Sequence, residues 1–235
     1  MVKKSVIAII PARGGSKRIP QKNIVPFHGK PMIAYTIQAA IQSQLFEKVL
    51  VSTDSEDIAG ISRNFGADVP FLRTSKNDDF SGASEATLFA LGQAEEHWHT
   101  TFDVVVQLMA NCPIRDADDI VSAFTHFNQN EHLSQISCFK FGFMNPWWAF
   151  KKNSQDGGEF LFPDVFGKRS QDNEELFCPT GAIWAIKGVY LKETCSFYSF
   201  ATTYFELDWK SAVDIDTYDD LEFAQAVYAM KYGLL

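Results

Sequence analysis

The sequence predicts an α/β protein in which a mostly parallel sheet is covered by helices on both faces. Two observations carry this expectation. Strand-length apolar runs alternate along the chain with stretches of helical periodicity. The runs are also continuous and rich in β-branched residues, the pattern of strands buried on both sides.

Val6 to Ile10 is the first such run, and Pro31 then opens a helix over about Met32 to Ser43. "KVLVSTD" (Lys48–Asp54) reads as a second buried strand, Ser55 to Asn64 as a helix, and "GADVPFLR" (Gly66–Arg73) as a short third strand. After a polar loop, Ser84 to Trp98 is helical. "FDVVVQLM" (Phe102–Met109) is the most hydrophobic strand and leads to a helix over about Ala117 to Asn130. The ligand-binding loops of such a sheet gather at one edge.

From about Gln135 the pattern changes. "ISCFKFGFMNPWWAFKK" is aromatic and strand-like, Asp156-Gly157-Gly158 marks a turn, and "GAIWAIKG" (Gly181–Gly188) returns to strand-like alternation. "AVDIDTYDDLEFAQAVYAM" ends a strand and opens a C-terminal helix. The expectation is one domain over residues 1–235, with an inserted subdomain at about 138–180.

The 235 residues carry a formal net charge of -8 and a pI near 5.1, which argues against a general nucleic-acid surface. Cys112, Cys138, Cys178 and Cys195 form no C-x-x-C pair, and the histidines at 28, 97, 99, 126 and 132 join them in no zinc pattern. No signal peptide or membrane-length apolar run is evident, so a cytoplasmic protein with reduced thiols is expected.

The chemistry begins in "VIAIIPARGGSKRIPQKN" (Val6–Asn23). Gly14 and Gly15 offer backbone freedom and close approach, and successive amides there can form an anion-binding concavity. Arg13, Lys17, Arg18 and Lys22 add charge-assisted donors. Such a cation cluster directly after a buried strand suits a bound polyphosphate. It matches neither G-x-x-x-x-G-K-[ST] nor G-x-G-x-x-G. In "VDID", Asp214 and Asp216 at i and i+2 of a strand would face one side and reach one metal ion, with Ile215 turned to the core. Thr217 and Asp219–Asp220 suffice to cap the following helix, so the other two carboxylates are left for chemistry.

With "IIPARGGSKRIPQKN", "GKPMIAYTI", "VLVSTDSEDIA", "GADVPFLR", "KRSQD", "PTGAIWAI" and "AVDIDTYDDLE" laid out, the chain resembles the acylneuraminate (nonulosonic acid) cytidylyltransferase family over nearly its whole length. The resemblance implies a three-layer α/β/α, Rossmann-like nucleotidyltransferase fold. It implies magnesium-dependent CMP transfer from CTP to the anomeric hydroxyl of a nine-carbon 2-keto sugar acid such as N-acetylneuraminate, with release of pyrophosphate. Pseudaminate, legionaminate or an eight-carbon keto acid are the alternative acceptors, and a non-catalytic nucleotide-binding module is the non-enzyme alternative.

By the same resemblance Ala12, Arg13, Gly14, Gly15 and Ser16 cradle the triphosphate, and Lys22 neutralises the α-phosphate region. Asn23 lies near cytosine and ribose, and Arg73 and Ser84 help read the base. Asp214 and Asp216 hold Mg2+, and Asp216 is also a candidate to take the acceptor's proton. Asp54 leaves room for a second metal. Arg169, whose guanidinium fork suits a carboxylate, with Gln171, Thr180 and the "PTGAI" turn, is expected in the sugar pocket.

"QLMANCPIR" (Gln107–Arg115) places Met109 where the family usually has glutamine, leaving Asn111 or Gln107 to supply a polar group. Likewise Thr180 and Trp184 replace asparagine and tyrosine. The aromatic segment Phe143–Phe150 would leave an apolar patch on a monomer. In relatives this excursion crosses to a second subunit and helps complete its sugar pocket. A homodimer is therefore expected.

Overall fold

The computed structural model describes residues 4–76, 82–142, 144–165 and 167–234. Phe143, which starts the aromatic segment, and most of the polar loop before the Ser84 helix lie outside them. In chain order the strands are β1 (Val6–Pro11), β2 (Pro26–Phe27), β3 (Lys30–Pro31), β4 (Lys48–Ser52), β5 (Val104–Gln107), β6 (Ser134–Lys140), β7 (Phe150–Lys152), β8 (Gly158–Phe160), β9 (Phe177–Lys187) and β10 (Thr202–Glu206). The helices are α1 (Met32–Gln42), α2 (Glu56–Asn64), α3 (Ala83–Trp98), α4 (Ala117–Gln129), α5 (Gly188–Thr194) and α6 (Tyr218–Tyr232).

The central sheet has the order β10-β6-β9-β5-β1-β4. β1 pairs in parallel with β4 and β5, and β10 with β6. β9 runs antiparallel to both of its neighbours. The mostly parallel expectation holds, but the reversed strand and the edge strand β10 were not foreseen. Their sequences alternate or are polar, so nothing in periodicity marks their direction.

β1 is buried on both sides as its composition requires. Ile7 and Ile9 join one apolar cluster with Leu91 of α3, and Val6, Ala8 and Ile10 join the other with Ile33 and Ile37 of α1. The helix ends are capped by the residues that favour such ends. The Ser55 hydroxyl accepts from the Ile58 amide, and Asp116 and Thr217 form capping boxes with Asp119 and Asp220.

Two local expectations are corrected. Gly66–Arg73 is not a strand. It touches the sheet through a single bridge, Leu50 with Asp68, because Pro70 lacks the amide that would continue the ladder. Asp214–Asp216 belongs to no strand. Between β6, which holds Cys138, and β9, which holds Thr180, the chain leaves the sheet and forms the hairpin β7–β8.

Where β9 turns into α5, Gly188 sits against the chain before β5. A Cβ there would lie 2.2 Å from the Phe102 carbonyl oxygen, and the Gly188 amide donates to Asp103 O at 2.8 Å. Gly188→Ala must push two backbones apart. A loss of about 3 kcal/mol, the upper range for overpacking, is expected in urea denaturation; a loss below 0.5 kcal/mol would show that the junction yields.

Candidate active site

Three segments leave the same edge of the sheet and meet: residues 12–22 after β1, residues 108–116 after β5, and residues 207–216 after β10. A buried apolar cluster seats all three, with Ile19 from the first, Ile114 from the second and Ile215 from the third, packed with Leu221 of α6. The Ile215 amide donates to Asn111 O at 2.9 Å, locking the second segment to the third. Lys231 of α6 adds a polar tie, donating to Ile114 O at 3.1 Å and to Asp116 and Ser211 at 2.9 Å each. Alternation therefore survives without a strand: Ile215 is fully buried while Asp214 and Asp216 face the other way.

The result is an open cleft of about 120 Å³, with Arg13, Ser16, Lys17, Arg18, Lys22 and Asn23 on one wall and Met109, Asn111 and Asp216 on the other. Lys22 Nζ donates to Asp216 Oδ1 at 2.7 Å, and Arg18 Nη2 to Asp216 Oδ2 at 2.8 Å. Burial would raise the Asp216 carboxyl, but hydrogen bonding and attraction from Lys22 and Arg18 prevail and hold it below the usual carboxylate range.

Asp214 behaves oppositely. Crowding by protein atoms, followed by repulsion from Asp216, pushes its carboxyl up to about 6. The residue still keeps contact with water, so it is crowded behind Asn111 at the margin of the cleft and not sealed in a core. Asn111 Nδ2 donates to Asp214 and, at 3.1 Å, to Ile215 O. Its Oδ1 is buried without a hydrogen-bond partner among the described residues. Two carboxylates and this amide oxygen are hard donors of the kind magnesium prefers, so the donor chemistry fits such an ion.

The raised Asp214 pKa has a stability consequence. Between the ordinary carboxylate pKa and about 6 the folded chain binds more protons than the unfolded one, so this group's contribution worsens as pH rises through that window. Asp214→Asn is expected to raise the melting temperature of the ligand-free protein at pH 7.5 and to leave it unchanged at pH 4. Equal melting temperatures at pH 7.5 would contradict the assignment.

The glycine pair works differently from expectation. Neither Gly14 nor Gly15 has a positive φ. Gly14 packs closely, since a Cβ there would lie 3.1 Å from Ser55 Cβ and the Ser55 side chain would have to give by a few tenths of an ångström. Its amide donates to Asp54 Oδ1 at 2.7 Å, and the Ser16 amide to Gly14 O at 3.0 Å. Two of the amides foreseen for an anion are thus engaged within the protein, and Asp54 serves here as a loop anchor.

Other predicted residues fall as follows. Ala12 is buried, with its amide on Ser52 O. Asn23 Nδ2 donates to Arg13 O at 2.9 Å and holds the loop's curve. Arg73 is buried within electrostatic reach of Asp54 and Arg13, and burial lowers its pKa.

Ser84, Thr180, Arg169 and Gln171 do not line the cleft, and neither do Ala12, Gly14, Gly15, Arg73 and Asp214. The Ser84 hydroxyl accepts from the Phe197 amide at 3.2 Å. Thr180 is buried, and its hydroxyl donates to Ala212 O at 3.0 Å, tying β9 to the segment before Asp214. Arg169 makes a two-pronged pair with Asp172 at 2.8 and 3.0 Å on the excursion, and Gln171 is exposed beside it.

The sequence reading missed the tether made by Arg115. This fully buried guanidinium donates to Ala182 O, the Thr36 hydroxyl and Met109 O, joining β9, α1 and the loop that carries Asn111. Burial lowers its pKa to about 10. A lone arginine four residues past Asn111 gives no sign of burial in sequence. Gly181 is also specific, since a Cβ there would come 2.9 Å from Met109 Cγ.

Residues 7–154 match the family described as Cytidylyltransferase. The chain is 32% identical over 230 residues to a pseudaminic acid cytidylyltransferase of Campylobacter jejuni, covering 96% of this chain and 97% of that protein. It is 33% identical over 221 residues to a CMP-N,N'-diacetyllegionaminic acid synthase of Legionella pneumophila, covering 90% and 91%. Among solved structures, a CMP:2-keto-3-deoxy-manno-octonic acid synthetase complexed with CTP superposes with a TM-score of 0.70 at 18% identity, covering 97% of this chain and 99% of that one. The likeness in fold, the extent of the match and a cationic loop set against paired carboxylates agree: this chain belongs to the cytidylyltransferase family.

Proposed function

We propose that the protein transfers CMP from CTP to the anomeric hydroxyl of a nine-carbon 2-keto sugar acid. An acceptor of the pseudaminate or legionaminate type is favoured over N-acetylneuraminate, because relatives named for those sugars are covered over 97% and 91% of their own length, whereas relatives named for N-acylneuraminate are covered over 54% and 51% of theirs. The observation that carries the reading is the meeting of Lys22 and Arg18 with Asp216, which joins a polyphosphate-suited loop to a metal-suited carboxylate pair.

In this reaction the acceptor oxygen bonds to the α-phosphorus, the bond to the bridging oxygen breaks, and pyrophosphate leaves with its charge. Negative charge grows on the equatorial oxygens and on the leaving group. Arg13, Lys17 and Lys22, fixed on a loop pinned by Ile19 and Asn23, are placed to stabilise that charge. Magnesium held by Asp214 and Asp216, with Asn111 beside them, would supply Lewis-acid neutralisation of phosphate charge. Asn111 orients Asp214 by donating to it, and Asp216, ionised with both oxygens paired, can receive the acceptor's proton only after Arg18 or Lys22 has left it.

The excursion supports a homodimer in which one protomer's arm completes its partner's sugar pocket. It exposes Met144, Phe150, Leu161 and Phe162, and carries Arg169 outside its own chain's cleft. The deciding experiment is pyrophosphate release from CTP with pseudaminate, legionaminate, N-acetylneuraminate and an eight-carbon keto acid. Release with a nine-carbon acid and CTP, but not with ATP or GTP, is expected. No release with any nine-carbon acid would overturn the proposal.

A further inference from the structure

Both oxygens of the Asp216 carboxylate are occupied by cations of this chain, Lys22 on Oδ1 and Arg18 on Oδ2. Asn111 Nδ2 adds a longer contact to Oδ1 at 3.5 Å. A divalent ion must share the oxygens of this carboxylate with these partners or displace one of them, and the two positive charges beside it repel any cation that approaches.

The two partners differ in how readily they leave. The Lys22 side chain is 16% exposed and starts from a short helical turn beside buried Asn23. The Arg18 side chain is 64% exposed, and ion pairs so open to water hold weakly. Its Cα is fixed by buried Ile19 next to it, but its long side chain can swing about that anchor. Within that swing lies the cleft it shares with Arg13, Ser16 and Lys17. A guanidinium fork suits phosphate oxygens at least as well as a carboxylate.

We propose that Arg18 is an exchange cation: it screens Asp216 until a triphosphate draws it away, so that the divalent ion and the nucleotide bind as one unit. This inference rests on the functional reading above and deepens it. Each ligand then raises the other's affinity by the same factor, as linkage requires. Metal alone meets a screened carboxylate, and nucleotide alone meets a loop whose Arg18 is engaged elsewhere. The device needs no domain movement, only one exposed side chain with two acceptors within reach.

The test measures Mn2+ binding by the paramagnetic resonance signal of the free ion, for wild type, Arg18→Gln and Arg18→Lys, with and without CTP. CTP binding without metal is followed by calorimetry, and the Mn2+·CTP complex formed in solution is subtracted. Arg18→Gln is expected to bind Mn2+ alone at least threefold more tightly than wild type. Its coupling between Mn2+ and CTP should fall at least fivefold, and Arg18→Lys should restore part of that coupling. Arg18 is exposed enough for all three proteins to fold, which matching melting temperatures would verify. An unchanged or weaker affinity of Arg18→Gln for Mn2+ alone, or unchanged coupling, would overturn the exchange. If the wild type binds no CTP even with Mn2+, the cytidylyl-transfer reading fails, while the metal-alone comparison still decides the role of Arg18.

Discussion

Asp216→Asn is expected to lower turnover by about 10²- to 10³-fold, the usual consequence of removing one fixed group that stabilises developing charge. That loss corresponds to about 3–4 kcal/mol of transition-state stabilisation. Asparagine has nearly the same shape, and the Asp216 amide would still donate to Asp220 Oδ2, so the start of α6 stays capped. Ile215 remains in its apolar seat, and the fold should be unaffected. What changes is the charge: Lys22 and Arg18 lose their shared counter-ion, and the cleft loses a hard anionic ligand. A mere loop anchor would behave differently, raising KM for CTP while leaving kcat within a few-fold. Pyrophosphate release at saturating substrates over a magnesium series separates the two. A kcat within threefold of wild type at low magnesium would remove Asp216 from the metal site.

Much of this site was legible because the relevant residues are adjacent in sequence and their chemistry is one-sided. Four cations and a glycine pair within a dozen positions after a buried strand have few other uses, and an acidic i, i+2 pair around an isoleucine declares its own facing. What could not be read was which partner each group finds across the fold. Gly14 looked like a source of unusual backbone angles, yet its φ is ordinary and what marks it is the closeness of Ser55. Arg169 looked suited to a substrate carboxylate, but Asp172, three residues on, supplies a carboxylate locally. Thr180 sits in a promising turn and spends its hydroxyl on Ala212. Arg115 and Lys231 look like ordinary surface cations until the topology brings backbone carbonyls to them. In the fold, short continuous apolar runs announced strands well, whereas the direction of β9 depends on pairings far apart in sequence.

Lys22→Ala should reduce kcat by 10²-fold or more, equivalent to at least about 2.7 kcal/mol. The lysine is the least exposed cation shown to meet Asp216, and its backbone is held by a turn that follows buried Ile19 and includes buried Asn23. A charge fixed before reaction needs no reorganisation as the α-phosphorus gathers negative charge, so its benefit should appear in kcat more than in KM. Arg18 remains on Asp216 in the variant, so the carboxylate is not stranded and stability should be nearly unchanged. The double variant with Asp216→Asn sharpens the point. Residues in contact that serve one charge arrangement give non-additive losses, and the pair is expected to cost little more than the worse single change. Strict additivity would mean that Lys22 and Asp216 act independently despite their 2.7 Å contact, and a Lys22→Ala kcat within threefold of wild type would exclude the lysine from charge stabilisation altogether.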